Sequence, residues 1–280
     1  MLEKQFLRAI KESNCVVPEG HTATSLLPDL MTGLGSTDPE YRDLLCLEVL
    51  WDFVAQGLYT PDELRAIARQ LMENLRKGIG ETEGDQVFLR TFSVLILGAI
   101  VTHDAKARFL TAGELGTILD AGLEYLAAEQ DLRGYLPDQG WAHSAAHTAD
   151  LLRELARHPA LGATELERIL WGIVRKVIAP AVHPFLESED GRLGYAFLAV
   201  LRRELVPLSA VAACIDELRG TEPRRNSFVP GRDSVRYHNA RIFLQCLHVM
   251  LAHPDLPAAV KAELPGRVYA AMKSFTPVWL

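Results

Sequence analysis

Apolar residues recur along almost the whole chain at spacings of three and four, the period of a helix with one buried face. Leu2 to Lys11 puts Phe6, Leu7 and Ile10 on one such face, and Ala23 to Leu34 forms a second segment closed by Gly35. Alternation of period two, the mark of a strand, barely occurs. The chain therefore reads as all-α.

Helix starts are marked by capping signals. Thr37-Asp38-Pro39-Glu40 supplies a capping side chain, a proline in the first turn and a glutamate three residues on, opening a helix that ends at Gly57. The signal returns as Thr60-Pro61-Asp62-Glu63, Thr111-Ala112-Gly113-Glu114 and Thr164-Glu165-Leu166-Glu167. In each, the threonine oxygen can accept the third backbone N–H while the glutamate reaches back. The last three lie 51 and 53 residues apart by their numbers. Two helices fit each interval, for example Pro61 to Lys77 followed by Asp85 to His103. LARHPALGATELERIL (155–170) also resembles MLAHPDLPAAVKAEL (250–264), with helix, His-Pro stop, short loop and helix; the proline ends the first helix. This periodicity predicts an array of helical hairpins, a HEAT- or armadillo-like α-solenoid, with an α/α-toroid as the alternative.

Loops are predicted at Gly78 to Gly84, Gly134 to Gly140, Glu187 to Gly191 and Gly220 to Arg232. The last is the longest, a candidate mobile segment or internal boundary. Similar helical patterns flank it, so 1–280 reads as one domain.

One helix concentrates unusual chemistry. Over Ala142 to Arg157, His143, His147, Asp150 and Glu154 fall in a narrow strip, while Ala142, Ala145, Ala149, Leu151, Leu152, Leu155 and Ala156 occupy the opposite arc. The strip is expected to face away from the packed side. Imidazoles at i and i+4 can present nitrogens to one divalent metal ion, with Asp150 adding a carboxylate. HExxH is absent, so further ligands would have to come from residues such as His183, Glu187, Asp190 or His238. A polar strip is equally what any surface helix carries. Just upstream lie Asp131, Arg133, Tyr135 and Trp141, a mixture found in ligand pockets and also in networks that lock a loop. A second helix opening at Ser234 aligns His238, Arg241, Gln245 and His248. If it faced the same surface, the groove would add Arg241 to the imidazoles.

Composition narrows the classes. With 49% hydrophobic and 23% charged residues there is ample core, and a formal charge of −7 disfavours a nucleic-acid partner. Cys15, Cys46, Cys214 and Cys246 form no CxxC pair and read as reduced thiols of a cytoplasmic protein. The apolar run Val94 to Val101 is much shorter than the roughly 20 residues of a membrane span. No nucleophile elbow or phosphate-cradling loop occurs. The C-terminal Phe275, Val278 and Trp279 can dock on the chain's own core or on a second subunit, so oligomeric state stays open.

RGYLPDQGWAHSAAHTADLL (133–152) resembles the signature segment of a bacterial family catalogued as domain of unknown function 2785. EDGRLGYA and NARIFLQCLHVML resemble its later segments, with a departure at Gln245 to His248. The resemblance runs from about Thr37 onward. It implies a shared architecture and a shared hot segment, and no particular reaction.

Together these readings predict a cytoplasmic binding module. A concave groove centred on Trp141, His143, His147 and Asp150 would hold a peptide, a protein partner or a small polar molecule, with Arg133 as an anion contact. The alternative is a hydrolase in the same groove, driven by metal-bound water or by one histidine as general base oriented by Asp131 or Asp150. A purely structural strip is the third reading.

Overall fold

A computed structural model describes residues 2–221 and 232–275. The Gly220 to Arg232 loop falls almost wholly outside the described residues, as do Val278 and Trp279. The helices are α1 (Lys4–Glu12), α2 (Ala23–Gly33), α3 (Glu48–Ala55), α4 (Pro61–Asn74), α5 (Gln86–Ala107) and α6 (Ala112–Ala128). After a two-stranded hairpin come α7 (Ser144–Arg157), α8 (Ala163–Val177), α9 (Glu189–Leu201), α10 (Leu208–Glu217), α11 (Arg232–Met250) and α12 (Ala258–Phe275). The fold is all-α.

The capping signals act at Thr60 and Thr111, each accepting the N–H of the glutamate three residues on while that carboxylate accepts the threonine N–H. Two others shift. The carboxylate of Glu165 accepts the Gly162 N–H at 3.0 Å, so Thr164 lies inside α8 rather than at its cap. Asp38, not Thr37, accepts the Tyr41 N–H at 3.1 Å. It opens a π-helical stretch, Glu40–Leu47, continuous with α3. π-Helical geometry is rare and concentrates at functional sites; the hydrophobic period did not disclose it. The two His-Pro exits adopt one turn: His158 Nδ1 accepts the Ala160 N–H at 3.2 Å, and His253 Nδ1 accepts the Asp255 N–H at 3.3 Å.

Alternate helices pack in two series. α3, α5, α7, α9 and α11 contact one another in succession, and so do α4, α6, α8, α10 and α12. Helices α5 and α7 run parallel, since Thr91 meets His147 near their starts and Asp104 meets His158 near their ends. α9 is parallel to α7, because the backbone just before α9 meets His143 while Arg203 binds the carbonyls of Ala156 and His158. The buried apolar residues form one connected cluster from Leu7 to Phe275. Phe275 packs at home, its ring 5.0 Å from that of Tyr237.

Helix α7 is enclosed by α5, α6, α8 and α9. Its polar strip is therefore not turned outward as expected: His143 and His147 are buried, and Asp150 and Glu154 are half-buried. Helix α5, with mean hydropathy 1.5 over its most apolar window, has the length and composition to cross a membrane, but 72% of that window is buried in this fold. It also carries Arg90, whose guanidinium is fully buried and gripped by Glu129 at 2.6 and 3.0 Å. The Glu129 carbonyl accepts the Lys176 ammonium at 2.7 Å, and burial lowers that lysine's pKa to about 8. The Arg90–Glu129 pair joins α5 to the end of α6.

Removing one partner of a buried pair leaves the other charge without compensation. Glu129→Ala is expected to destabilise the protein by roughly 3–5 kcal/mol, and Glu129→Gln, which keeps an acceptor for Arg90, by less. Urea unfolding of the two variants beside the parent checks this.

Candidate functional site

The segment expected to be a loop between Gly134 and Gly140 is a hairpin, in which Tyr135 pairs with Trp141 and Leu136 with Gly140. Two arginines decide its placement, and a third holds the helix that follows. Arg133 grips the buried Asp131 carboxylate at 2.6 to 3.1 Å and donates to the Gly84 carbonyl at 3.1 Å. Arg133 thus ties the start of the hairpin to Asp131 and to the loop before α5 through its Nε and Nη2. Arg42, in the π-helical stretch, donates to the carbonyls of Ser36 and Gln139 at 2.7 Å, and its guanidinium lies 4.1 Å over the Phe88 ring. Gly140, at φ +74°, admits this approach: a Cβ there would stand 2.7 Å from Pro39 Cβ and 3.0 Å from Arg42 Nη2. Arg192 of α9 holds Asp150 at 2.6 Å.

From the hairpin a file of rings leads inward. Tyr135 meets Trp141 edge-on at 5.0 Å, and Trp141 stacks on His143 at 4.7 Å with planes 21° apart. His143 lies 5.5 Å from His147, which abuts Phe92 edge-on at 5.3 Å. Trp141 stays 36% exposed and Tyr135 53%, whereas both imidazoles are buried. His143 is not inside α7 as the pattern predicts. It precedes the helix at φ +50°, a left-handed conformation uncommon outside glycine, and Ser188 just before α9 repeats this at φ +66°. Such strain gathers at functional sites and is sustained by surrounding contacts. The contacts here are backbone bonds from His143 to Arg133 and from Ala142 to Gly134.

The hydrogen bonds fix part of the chemistry. His143 Nε2 lies 2.8 Å from the Glu187 carbonyl, and a carbonyl only accepts, so Nε2 carries the proton and the lone pair of the neutral ring sits on Nδ1. Glu189 Oε1 stands 3.5 Å from the same nitrogen. His147 Nδ1 shares a 3.0 Å hydrogen bond with the Thr91 hydroxyl. Burial lowers the pKa of His143, and lowers that of His147 strongly, with His143 and Arg192 adding to the effect. Burial also raises the carboxyls of Asp131, Asp150 and Glu189, and lifts Asp43, beside Arg42, to about 6. The cluster is one of neutral imidazoles among reluctant carboxylates, the environment in which proton transfer near neutrality is feasible.

The expected metal set does not converge. Asp150 is held by Arg192, His143 Nε2 by a carbonyl and His147 Nδ1 by a hydroxyl. Among the described residues no group of three or more His, Cys, Asp or Glu side chains is arranged to hold a metal ion. Of the distant candidates, Glu187 reaches His143 only through its backbone, and His183 lies by Glu83 at 3.9 Å. Arg241 lies on α11, which packs against α9, the helix that also packs against α7. Sequence reasoning missed Arg42, Thr91, Phe92, Glu189 and Arg192. Only the last two carried a signal, in the EDGR run, where helix electrostatics already accounts for acidic residues in a first turn.

An imidazole kept neutral in the fold takes a proton first in the unfolded chain, as pH drops below about 6.5. The stability due to His147 is therefore present above that pH and lost as pH falls. The raised carboxylates act oppositely, gaining stability on acidification, so a paired comparison is needed to isolate the ring. Between about pH 6.5 and 5 the parent is expected to lose up to about 1.4 kcal/mol per pH unit more than His147→Gln. Urea midpoints across that range measure it, and parallel slopes would refute a neutral His147.

No curated protein and no solved structure matches this chain. Residues 75–249 match the profile of the family described as a protein of unknown function (DUF2785). The match starts later than the Thr37 suggested by the sequence, leaving out α1 to α4. It takes in the hairpin, both imidazoles, α9 and nearly all of α11. It spans more than half the chain, which therefore belongs to the DUF2785 family.

Proposed function

We propose that this chain is a cytoplasmic helical-repeat protein of one domain that binds a ligand on the Tyr135–Trp141 rings. The observation that carries the reading is Trp141 itself: a large ring left 36% exposed, yet fixed by stacking on a buried imidazole. Rigid aromatic rings at a surface provide contact area at low entropic cost. Carboxylates lie along the hairpin that carries the rings: Asp43, paired with Arg42, stands by Gly140, Asp85 accepts from Gln139 at 3.1 Å, and Glu187 lies over Gly134. A peptide or small polar molecule presenting a cationic or planar group fits such a rim, through cation–π contact and charge. The repeat reading is supported by the two helix series and by the duplicated His-Pro turn. The one-domain reading is supported by the single connected core, and the compartment by four free cysteines.

A second reading, histidine-based hydrolysis, is favoured by one observation. The tautomer of His143 leaves Nδ1 as a base, with Glu189 beside the opposite nitrogen.

Lysine- and arginine-rich peptides arrayed against acidic and neutral ones test the binding reading. Retention of the basic set by the parent, weakened at least tenfold in Trp141→Ala while the melting temperature moves by only a few degrees, is the expected result. Equal retention by the variant would remove the platform. Turnover in an ester and amide screen that is abolished by His143→Ala but kept in Trp141→Phe would favour the hydrolase instead.

A further inference from the structure

The opposite end of α7 carries chemistry that the aromatic platform does not use. Because α7 and α9 are parallel, their C-terminal ends lie side by side. There Arg153, Arg157, Arg202 and Arg203, with the small buried Ala199 between, line a pocket of about 420 Å³. In a chain of net charge −7, this is a local reversal of sign.

The four guanidinium groups are held differently. Arg203 is a fixed strut, donating to the carbonyls of Ala156 at 2.8 Å, His158 at 2.9 Å and Leu161 at 3.1 Å. Arg153 and Arg157 share Glu154, at 2.9 and 3.4 Å. Arg153 also comes within 3.5 Å of Asp150, but Arg192 binds that carboxylate more closely at 2.6 Å. Arg202 meets only the Nδ1 of His253, at 3.4 Å, and makes no ion pair among the described residues. Basic residues near helix C-termini are ordinary, since they complement the helix dipole. That accounts for one arginine at each end and not for a cavity lined by four. Converging guanidinium groups repel one another, and the local carboxylates are too few to balance them. An oxyanion entering the pocket relieves that repulsion and accepts the forked N–H groups in pairs.

We infer that the pocket between the C-terminal ends of α7 and α9 is a binding site for a small, multiply charged phosphate-type anion, with Arg153, Arg157 and Arg202 as its contacts and Arg203 as the strut that shapes it. The cavity volume lies within the range of small-ligand sites and suits a di- or triphosphate group. The site is separate from the aromatic platform and does not depend on what that platform binds.

Inorganic pyrophosphate is the probe, titrated calorimetrically into the full chain, with sodium sulfate and sodium chloride at matched ionic strength as comparisons. Saturable binding of pyrophosphate, at least tenfold tighter than sulfate and weakened at least tenfold in both Arg202→Gln and Arg157→Gln, is expected. Both side chains are exposed, so these variants keep the fold, which circular dichroism confirms. Trp141→Ala should bind pyrophosphate like the parent. Absence of saturable binding, or unchanged affinity in the two arginine variants, overturns the assignment. Tighter binding of a single-stranded oligonucleotide at equal phosphate concentration, lost in the same variants, also overturns it, in favour of an extended nucleic-acid surface.

Discussion

The first turns of α7, packed among four other helices, cannot leave a buried polar side chain without a partner, and that constraint organises this protein. The helix's apolar arc of alanines and leucines packs closely, but the first turns also carry Ser144, His147 and Thr148 into the interior, with His143 buried just ahead of them and Asp150 half-buried one turn on. Each demands an answer from a neighbour. α5 supplies Thr91, α9 supplies Arg192, and the backbone at Asp131 accepts the Ser144 hydroxyl at 2.5 Å. Leaving any one unmet would cost about 1–3 kcal/mol. The neighbouring helices are therefore held in register by hydrogen bonds as well as by packing.

The same constraint shapes the electrostatics at both ends of the helix. At its N-terminal end burial drives imidazoles and carboxyls toward their neutral forms, so groups that would be charged in water stand together without repulsion. The left-handed backbone at His143 and Ser188 turns the chain sharply into two parallel helices and brings Glu187 and Glu189 to His143. At the C-terminal end the side chains are long and reach solvent, so charge is retained and accumulates as guanidinium groups. One helix thus separates a neutral, aromatic site from a cationic one.

Much of the helical framework was legible in the chain because its causes are local. A threonine with a glutamate three residues on closes a capping box whatever lies around it, as at Thr60 and Thr111, and a His-Pro pair stops a helix in the same way twice. Where two local signals competed, the reading slipped: Glu165 serves Gly162 rather than leaving the cap to Thr164, and Asp38 displaces Thr37. The hairpin escaped because two residues per strand are too few for a period of two to register, and its position is set by Arg42, almost a hundred residues away.

The sequence by itself determined the all-α class, most helix boundaries and the segment where chemistry concentrates, since these follow from periodicity, caps and residue type. It also placed the chain's resemblance to its family. Tertiary structure decided what each of those residues does. The polar strip of α7 looked like an outward face because periodicity reports only that two faces differ; enclosure by four helices turned it inward. His143 and Asp150 looked like metal ligands because spacing says nothing about what else competes for a lone pair. The turn before α9 fixes the His143 proton on Nε2, and Arg192 of α9 takes the Asp150 carboxylate. Among the described residues no group of three or more His, Cys, Asp or Glu side chains is arranged to hold a metal. The charged pocket had no signature at all, for its four arginines come as two pairs nearly fifty residues apart and converge only because α7 and α9 end together.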